Sequence, residues 1–140
     1  MGFSNLKIPI AGVIAKNAGF LPIDRENNRE ALKTILQAAE YLKKGVCNMG
    51  IYPEGTRSRT GEMLPFHAGS FKIAQRAGAP VVVACVRGSE KVKRPHLFKS
   101  VDVYLDILEV IPAEQVKAMS TNELADYSRS LMEQQLKIAA

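Results

Sequence analysis

The chain has 140 residues, 46% of them hydrophobic and 24% charged, with a formal net charge of +5 at pH 7. This is one domain's length and a globular composition, which excludes a disordered or fibrous chain. No apolar run approaches the roughly 18 residues a membrane span requires. No secretory leader is expected, because no basic start precedes an apolar stretch and a small-residue cleavage site. Leu6 stands where a myristoylation signal after Met1-Gly2 wants serine or threonine.

In chain order, Ile8–Asn17 reads as a short helix stopped at Gly19, and Phe20–Ile23 as a short strand ending at Asp24-Arg25. Asn27 with Glu30 forms a capping-box pattern. Leu32, Ile35, Leu36, Ala39 and Leu42 then recur at helical spacing up to Gly45. Val46–Tyr52 reads as a buried strand ended by Pro53, and Glu54–Ala68 as a polar loop. Gly69–Ala77 is a predicted helix stopped by Gly78, followed by the β-branched strand Pro80–Val86. A further strand covers Val101–Val110, with Val101, Val103, Leu105, Ile107 and Glu109 alternating against the residues between them. A second capping box, Ser120 with Glu123, opens a last helix running towards Ile138, whose stripe of Leu124, Tyr127, Leu131 and Ile138 is assigned to the core.

The order β-α-β-loop-α-β-β-α predicts a single α/β domain with a mixed, largely parallel sheet flanked by helices. Ligands of open α/β sheets bind beyond the carboxyl ends of the strands, and those ends carry Asp24-Arg25 and Glu54-Gly55-Thr56-Arg57. Cys47 and Cys85 lie in apolar runs without metal-ligand spacing, so both are expected as buried, reduced thiols and no metal site is expected.

Charge is uneven: residues 1–53 carry +3, residues 54–99 carry +6, and residues 100–140 carry −4. The middle segment favours an anionic partner, which charge alone leaves open between a phosphate, an acidic lipid surface and nucleic acid. The basic loop Arg87–Lys99 could meet anionic headgroups or simply be solvated. No nucleic-acid partner is expected, because no recognised module is present and few aromatics interleave with the basic residues.

Tyr52-Pro53-Glu54-Gly55-Thr56-Arg57-Ser58-Arg59 carries the most chemistry. Pro53 ends the strand because it cannot donate to a ladder. Gly55 lets the backbone approach a ligand, Thr56 offers a hydroxyl, and Arg57 and Arg59 offer planar forks suited to phosphate. The alternative is a surface turn in which Glu54 and Arg57 pair with each other. The phosphate-binding P-loop pattern is missing.

Glu54-Gly55-Thr56-Arg57-Ser58 resembles the signature of the glycerophospholipid acyltransferase family. Gly19-Phe20-Leu21-Pro22-Ile23-Asp24-Arg25 resembles that family's upstream block, and Phe66–Ala74 with Gly78-Ala79-Pro80-Val81 resembles the approach to its fourth block. The resemblance spans roughly residues 7–90. It implies an α/β sheet flanked by helices and transfer of a fatty acyl group to the 2-hydroxyl of lysophosphatidate. The implied donor is acyl-CoA or acyl carrier protein, with no other cofactor. It further implies that Arg25 and Arg57 hold the glycerol phosphate, that Gly55 and Thr56 shape the pocket, and that Asp24, Glu54, Arg59, His67 and Lys72 support it. Pro80 would begin the strand under the donor side. The implied location is cytoplasmic, peripheral at the inner face of an anionic membrane.

Two departures from the family pattern stand out. Its His-x-x-x-x-Asp block, in which the histidine takes the acceptor's proton and the aspartate orients the ring, has no match here: Lys72 lies five past His67, and Val101 five past His96. Val83 also replaces a proline of the fourth block. The chain is therefore expected to be a fragment or a natural short form, with no catalytic histidine of its own. His67 is expected to be a polar substitute where relatives often carry lysine, and His96 a surface loop residue.

Overall fold

The computed structural model describes residues 19–21, 23, 27–58, 60, 62–93 and 100–138. The predicted helix Ile8–Asn17, Asp24-Arg25, Arg59 and His96 lie outside the described residues. Among the described residues four α-helices and a two-stranded sheet are formed: α1 (Asn28–Lys43), α2 (Lys72–Ala77), β1 (Val81–Arg87), β2 (Tyr104–Ile111), α3 (Ala113–Ala118) and α4 (Thr121–Ile138).

Helix α1 starts where its cap predicts. The Asn27 side-chain oxygen accepts from the backbone N–H groups of Arg29 and Glu30 at 3.1 and 3.3 Å. The Glu30 carboxylate takes Lys33 at 2.7 Å. The helix closes as a Schellman motif, with Gly45 N–H bonded to the Leu42 carbonyl and Val46 N–H to the Tyr41 carbonyl. The same pair of bonds recurs after α2, from Gly78 to Gln75 and from Ala79 to Ala74. The helix predicted over 69–77 divides into a 3-10 turn, Ala68–Phe71, and α2 itself.

β1 and β2 form an antiparallel pair, with Val81 opposite Ile111 and Arg87 opposite Tyr104. A bulge between Val83 and Ala84 shifts the register, so that Glu109 faces Val83 while Ile107 faces Ala84. This reverses the phase of the predicted alternation midway along β2. Leu105, Ile107 and Val110 are exposed, while Ile111 is fully buried.

The largely parallel sheet expected from the element order is not formed among the described residues. Residues 46–52 make no strand, and of the described residues in the strand expected over 20–23, Ile23 alone is bridged. The exposures give the physical reason. Parallel strands need cover on both faces, whereas Val82 is 54% and Leu105 64% exposed on the outer face of the hairpin. An antiparallel pair tolerates one open face and a local connection. Cys47 is exposed for the same cause, contrary to expectation, while Cys85 on the inner face is buried as expected. Burial raises the Cys85 thiol above its ordinary pKa, with Asp106 adding to the effect.

The core lies between the inner face of the hairpin, the 3-10 turn and α4. Phe71, Val83, Ile111, Val116, Leu124 and Ala125 are buried together, with Phe66, Leu108, Tyr127 and Leu131 packed around them. Three of the four residues in the predicted α4 stripe therefore join the core, whereas Ile138 is 81% exposed. The cap of α4 is complete: Ser120 N–H donates to the Glu123 carboxylate at 2.7 Å, and Glu123 N–H to Ser120 Oγ at 3.2 Å. Helix α3, absent from the sequence reading, is tied in by Gln75, whose side-chain amide donates to the carbonyls of Val116 and Met119 at 3.2 and 2.6 Å.

Arg87 belongs to the sheet rather than to a solvated basic loop. Its guanidinium donates to both Asp106 oxygens and lies 5.1 Å from the Tyr104 ring centroid. The Arg87 hydrogen bond, helped by Gln135, holds the Asp106 carboxyl below its ordinary pKa against the opposing effect of burial.

Two outcomes test this packing. Ile111→Ala should lower the free energy of unfolding by about 2–5 kcal/mol, and Val82→Ala by under roughly 0.5 kcal/mol, in urea titrations at constant slope. Because the folded-state pKa of Asp106 is depressed, its contribution is present above the unfolded carboxylate range and lost as pH falls through the folded value. Asp106→Asn should accordingly flatten the acid limb of stability against pH; an unchanged acid limb would contradict the pairing.

Candidate functional site

The stretch with the richest chemistry forms a turn followed by a tied loop. Gly55 N–H donates to the Tyr52 carbonyl at 3.0 Å, closing a four-residue turn. Pro53 takes the second position, where its fixed φ suits the geometry. Gly55 has φ +71°, a left-handed conformation that side-chain-bearing residues resist. The chain is thereby turned immediately before Thr56 and Arg57.

The loop returns to its own start. His67 N–H donates to the Pro53 carbonyl at 2.9 Å, and Leu64 N–H donates to Glu54 Oε2 at 2.9 Å. Within the loop, Thr60 Oγ1 accepts from Glu62 N–H at 3.3 Å and shares a hydrogen bond with Ser58 Oγ at 3.3 Å. Beyond the neck the chain enters the 3-10 turn, whose Phe71 is in the core. The loop thus rests on the packed part of the molecule through its C-terminal end.

The residues expected to act on an anion are distributed as follows. Thr56 and Arg57 are exposed, and Gly55 is half-buried in the turn. Arg57 makes no hydrogen bond or ion pair among the described residues, so its guanidinium is available. The alternative in which Glu54 and Arg57 neutralise each other is not what forms, because Glu54 turns to Leu64. His67 reaches the site through its backbone, beside Pro53, with its side chain exposed, and Lys72 is exposed at the start of α2. Arg25, Asp24 and Arg59 lie outside the described residues. The sequence reading missed the Leu64 and His67 amides; backbone donors that far along the chain leave no signal in residue types.

No group of three or more His, Cys, Asp or Glu residues that could hold a metal occurs among the described residues. No helix among them is long and apolar enough to cross a membrane. The arrangement is suited to binding an oxyanion: a guanidinium fork and a hydroxyl on adjacent residues, presented by a glycine turn.

Comparison with known proteins bears on the family. A family model described as Acyltransferase matches residues 1–87. Over 134 residues the chain is 37% identical to the 1-acyl-sn-glycerol-3-phosphate acyltransferase of Escherichia coli (strain K12), covering 95% of this chain and 54% of that protein. The protein of the same name in Saccharomyces cerevisiae is 31% identical over 134 residues, 93% of this chain and 44% of the relative. The 1-acyl-sn-glycerol-3-phosphate acyltransferase alpha of Ovis aries is 31% identical over 124 residues, 87% of this chain and 43% of the relative. The chain spans about half the length of the relatives it matches. No solved structure matches it.

The turn itself yields a prediction. Gly55→Ala forces a Cβ into the left-handed region and should cost about 1–2 kcal/mol of stability, read as a lowered urea midpoint. An unchanged midpoint would mean that the turn is not held at positive φ.

Proposed function

The chain belongs to the acyltransferase family, and from that premise we propose that it supplies the phosphate-binding part of a lysophosphatidate acyltransferase in phospholipid biosynthesis. The reaction moves a fatty acyl group from a thioester, on CoA or acyl carrier protein, to the 2-hydroxyl of 1-acyl-glycerol 3-phosphate. The hydroxyl oxygen attacks the thioester carbonyl, the thiol leaves, and phosphatidate results. The observation that carries the reading is the available guanidinium of Arg57, beside Thr56, on a glycine turn tied at its base. A phosphate held there fixes the acceptor's position, converting an encounter between two molecules into attack within one complex.

In this reading Arg25 joins Arg57 on the phosphate, each charge-assisted hydrogen bond contributing roughly 1.5–3 kcal/mol. Gly55 shapes the pocket by allowing close approach. Asp24, Arg59, His67 and Lys72 support it, the cations by adding positive potential. The proton acceptor is not assigned to this chain, since its 140 residues contain no His-x-x-x-x-Asp sequence. That favours a second reading for the chain alone, a lipid-phosphate-binding module without catalysis. The excess of basic groups in residues 54–99 supports peripheral attachment at the inner, anionic face of a membrane.

Sedimentation with phosphatidylcholine vesicles containing lysophosphatidate tests the binding. Arg57→Ala should weaken it by about tenfold or more, with binding to pure phosphatidylcholine vesicles weak for both proteins. Equal binding by the variant would sink the phosphate site. In an assay of CoA release from acyl-CoA with lysophosphatidate, the 140-residue chain should show no turnover. Turnover would require a base within the chain, and His67→Ala would then be the first substitution to make.

A further inference from the structure

A carboxylate next to an anion-binding group is electrostatically unfavourable unless it is turned elsewhere, since like charges repel most strongly where water is partly excluded. Glu54 lies three residues before Arg57 and makes no ion pair among the described residues. Its carboxylate faces the interior of its own loop, where Oε2 accepts the N–H of Leu64, ten residues on, at 2.9 Å in a part-buried setting. A second tie across the neck is the backbone bond from His67 to Pro53. One hydrogen bond leaves two strands of chain free to swing about it. A second, at a different point along the neck, fixes their relative direction and hence the direction in which Thr56 and Arg57 leave the turn.

Resting on the phosphate-binding reading above, we propose that Glu54 is a positioning residue: its carboxylate clamps Leu64 N–H so that Thr56 and Arg57 are presented to the phosphate in one orientation. The function of the clamp is acceptance of a hydrogen bond, not negative charge. A glutamine keeps a side-chain oxygen at the same reach and removes the charge, whereas an alanine removes both. The loop thereby carries its own order before any ligand arrives, so less conformational entropy is lost on binding.

The test uses the 140-residue chain as wild type, Glu54→Gln, Glu54→Ala and Arg57→Ala. Two readouts are taken: tryptic cleavage after Arg57, followed by mass spectrometry without ligand, and sedimentation with lysophosphatidate-containing vesicles. Arg57→Ala removes the cleavage site and is used for the binding readout alone. Glu54→Ala should be cut about tenfold faster or more and should bind correspondingly more weakly, as expected for loss of a charge-assisted bond. Glu54→Gln should be cut and should bind at levels between wild type and Glu54→Ala, because a neutral acceptor keeps about half of that bond. Wild-type cleavage of Glu54→Ala would overturn the clamp. Loss of binding by Glu54→Gln at an unchanged cleavage rate would also overturn it, since the charge itself would then be acting. Should Arg57→Ala bind like wild type, the phosphate reading falls, and the cleavage rates still decide whether Glu54 holds the loop.

Discussion

The candidate site depends on closure of a loop at its neck. Two backbone amides, from Leu64 and His67, return to Glu54 and Pro53. Without those bonds the two limbs of the loop would lose these ties at its base, and Arg57 would sample more directions. With them, a long flexible side chain starts from a fixed backbone. That difference matters because the entropy of ordering a segment counts against every interaction made after binding.

The packed part of the molecule serves this loop. Helix α4 and the inner face of the hairpin bury Val83, Ile111, Leu124 and Ala125, and Phe71 in the 3-10 turn joins the same cluster. Phe71 lies four residues beyond the neck at His67, so the returning limb of the loop is anchored in the core. Gln75 extends the anchorage by satisfying two carbonyls at the end of α3. The outer face of the hairpin contributes nothing of the kind, with Val82, Leu105, Ile107 and Val110 exposed. Stability and site geometry therefore share one side of the sheet.

What could be read from the sequence was local chemistry. The Asn27 cap, the Ser120–Glu123 box, the chain reversals at Gly45 and Gly78 and the strand after Pro80 all depend on residues within a few positions of one another. They appear where residue types put them. Sheet pairing depends instead on which strands find partners, and residue types along 46–52 carry no information about that. Helix α3 escaped notice because six residues give little periodicity, and the bulge at Val83/Ala84 because a register shift changes no residue. At the site, the phosphate-suited side chains were legible from Gly55, Thr56 and Arg57. The partner of Glu54 was not, since it is a main-chain amide rather than the neighbouring arginine.

In the proposed function Arg57 takes the phosphate of a glycerol phosphate group. Its most direct test is nitrogen NMR of the arginine side chains during titration with glycerol 3-phosphate. The Arg57 Nε–H resonance should shift and saturate, while that of Arg129, engaged with Glu133 at 2.8 Å, stays in place. An Arg57 resonance that does not move as ligand is added, or that moves only in step with Arg129, would contradict the account.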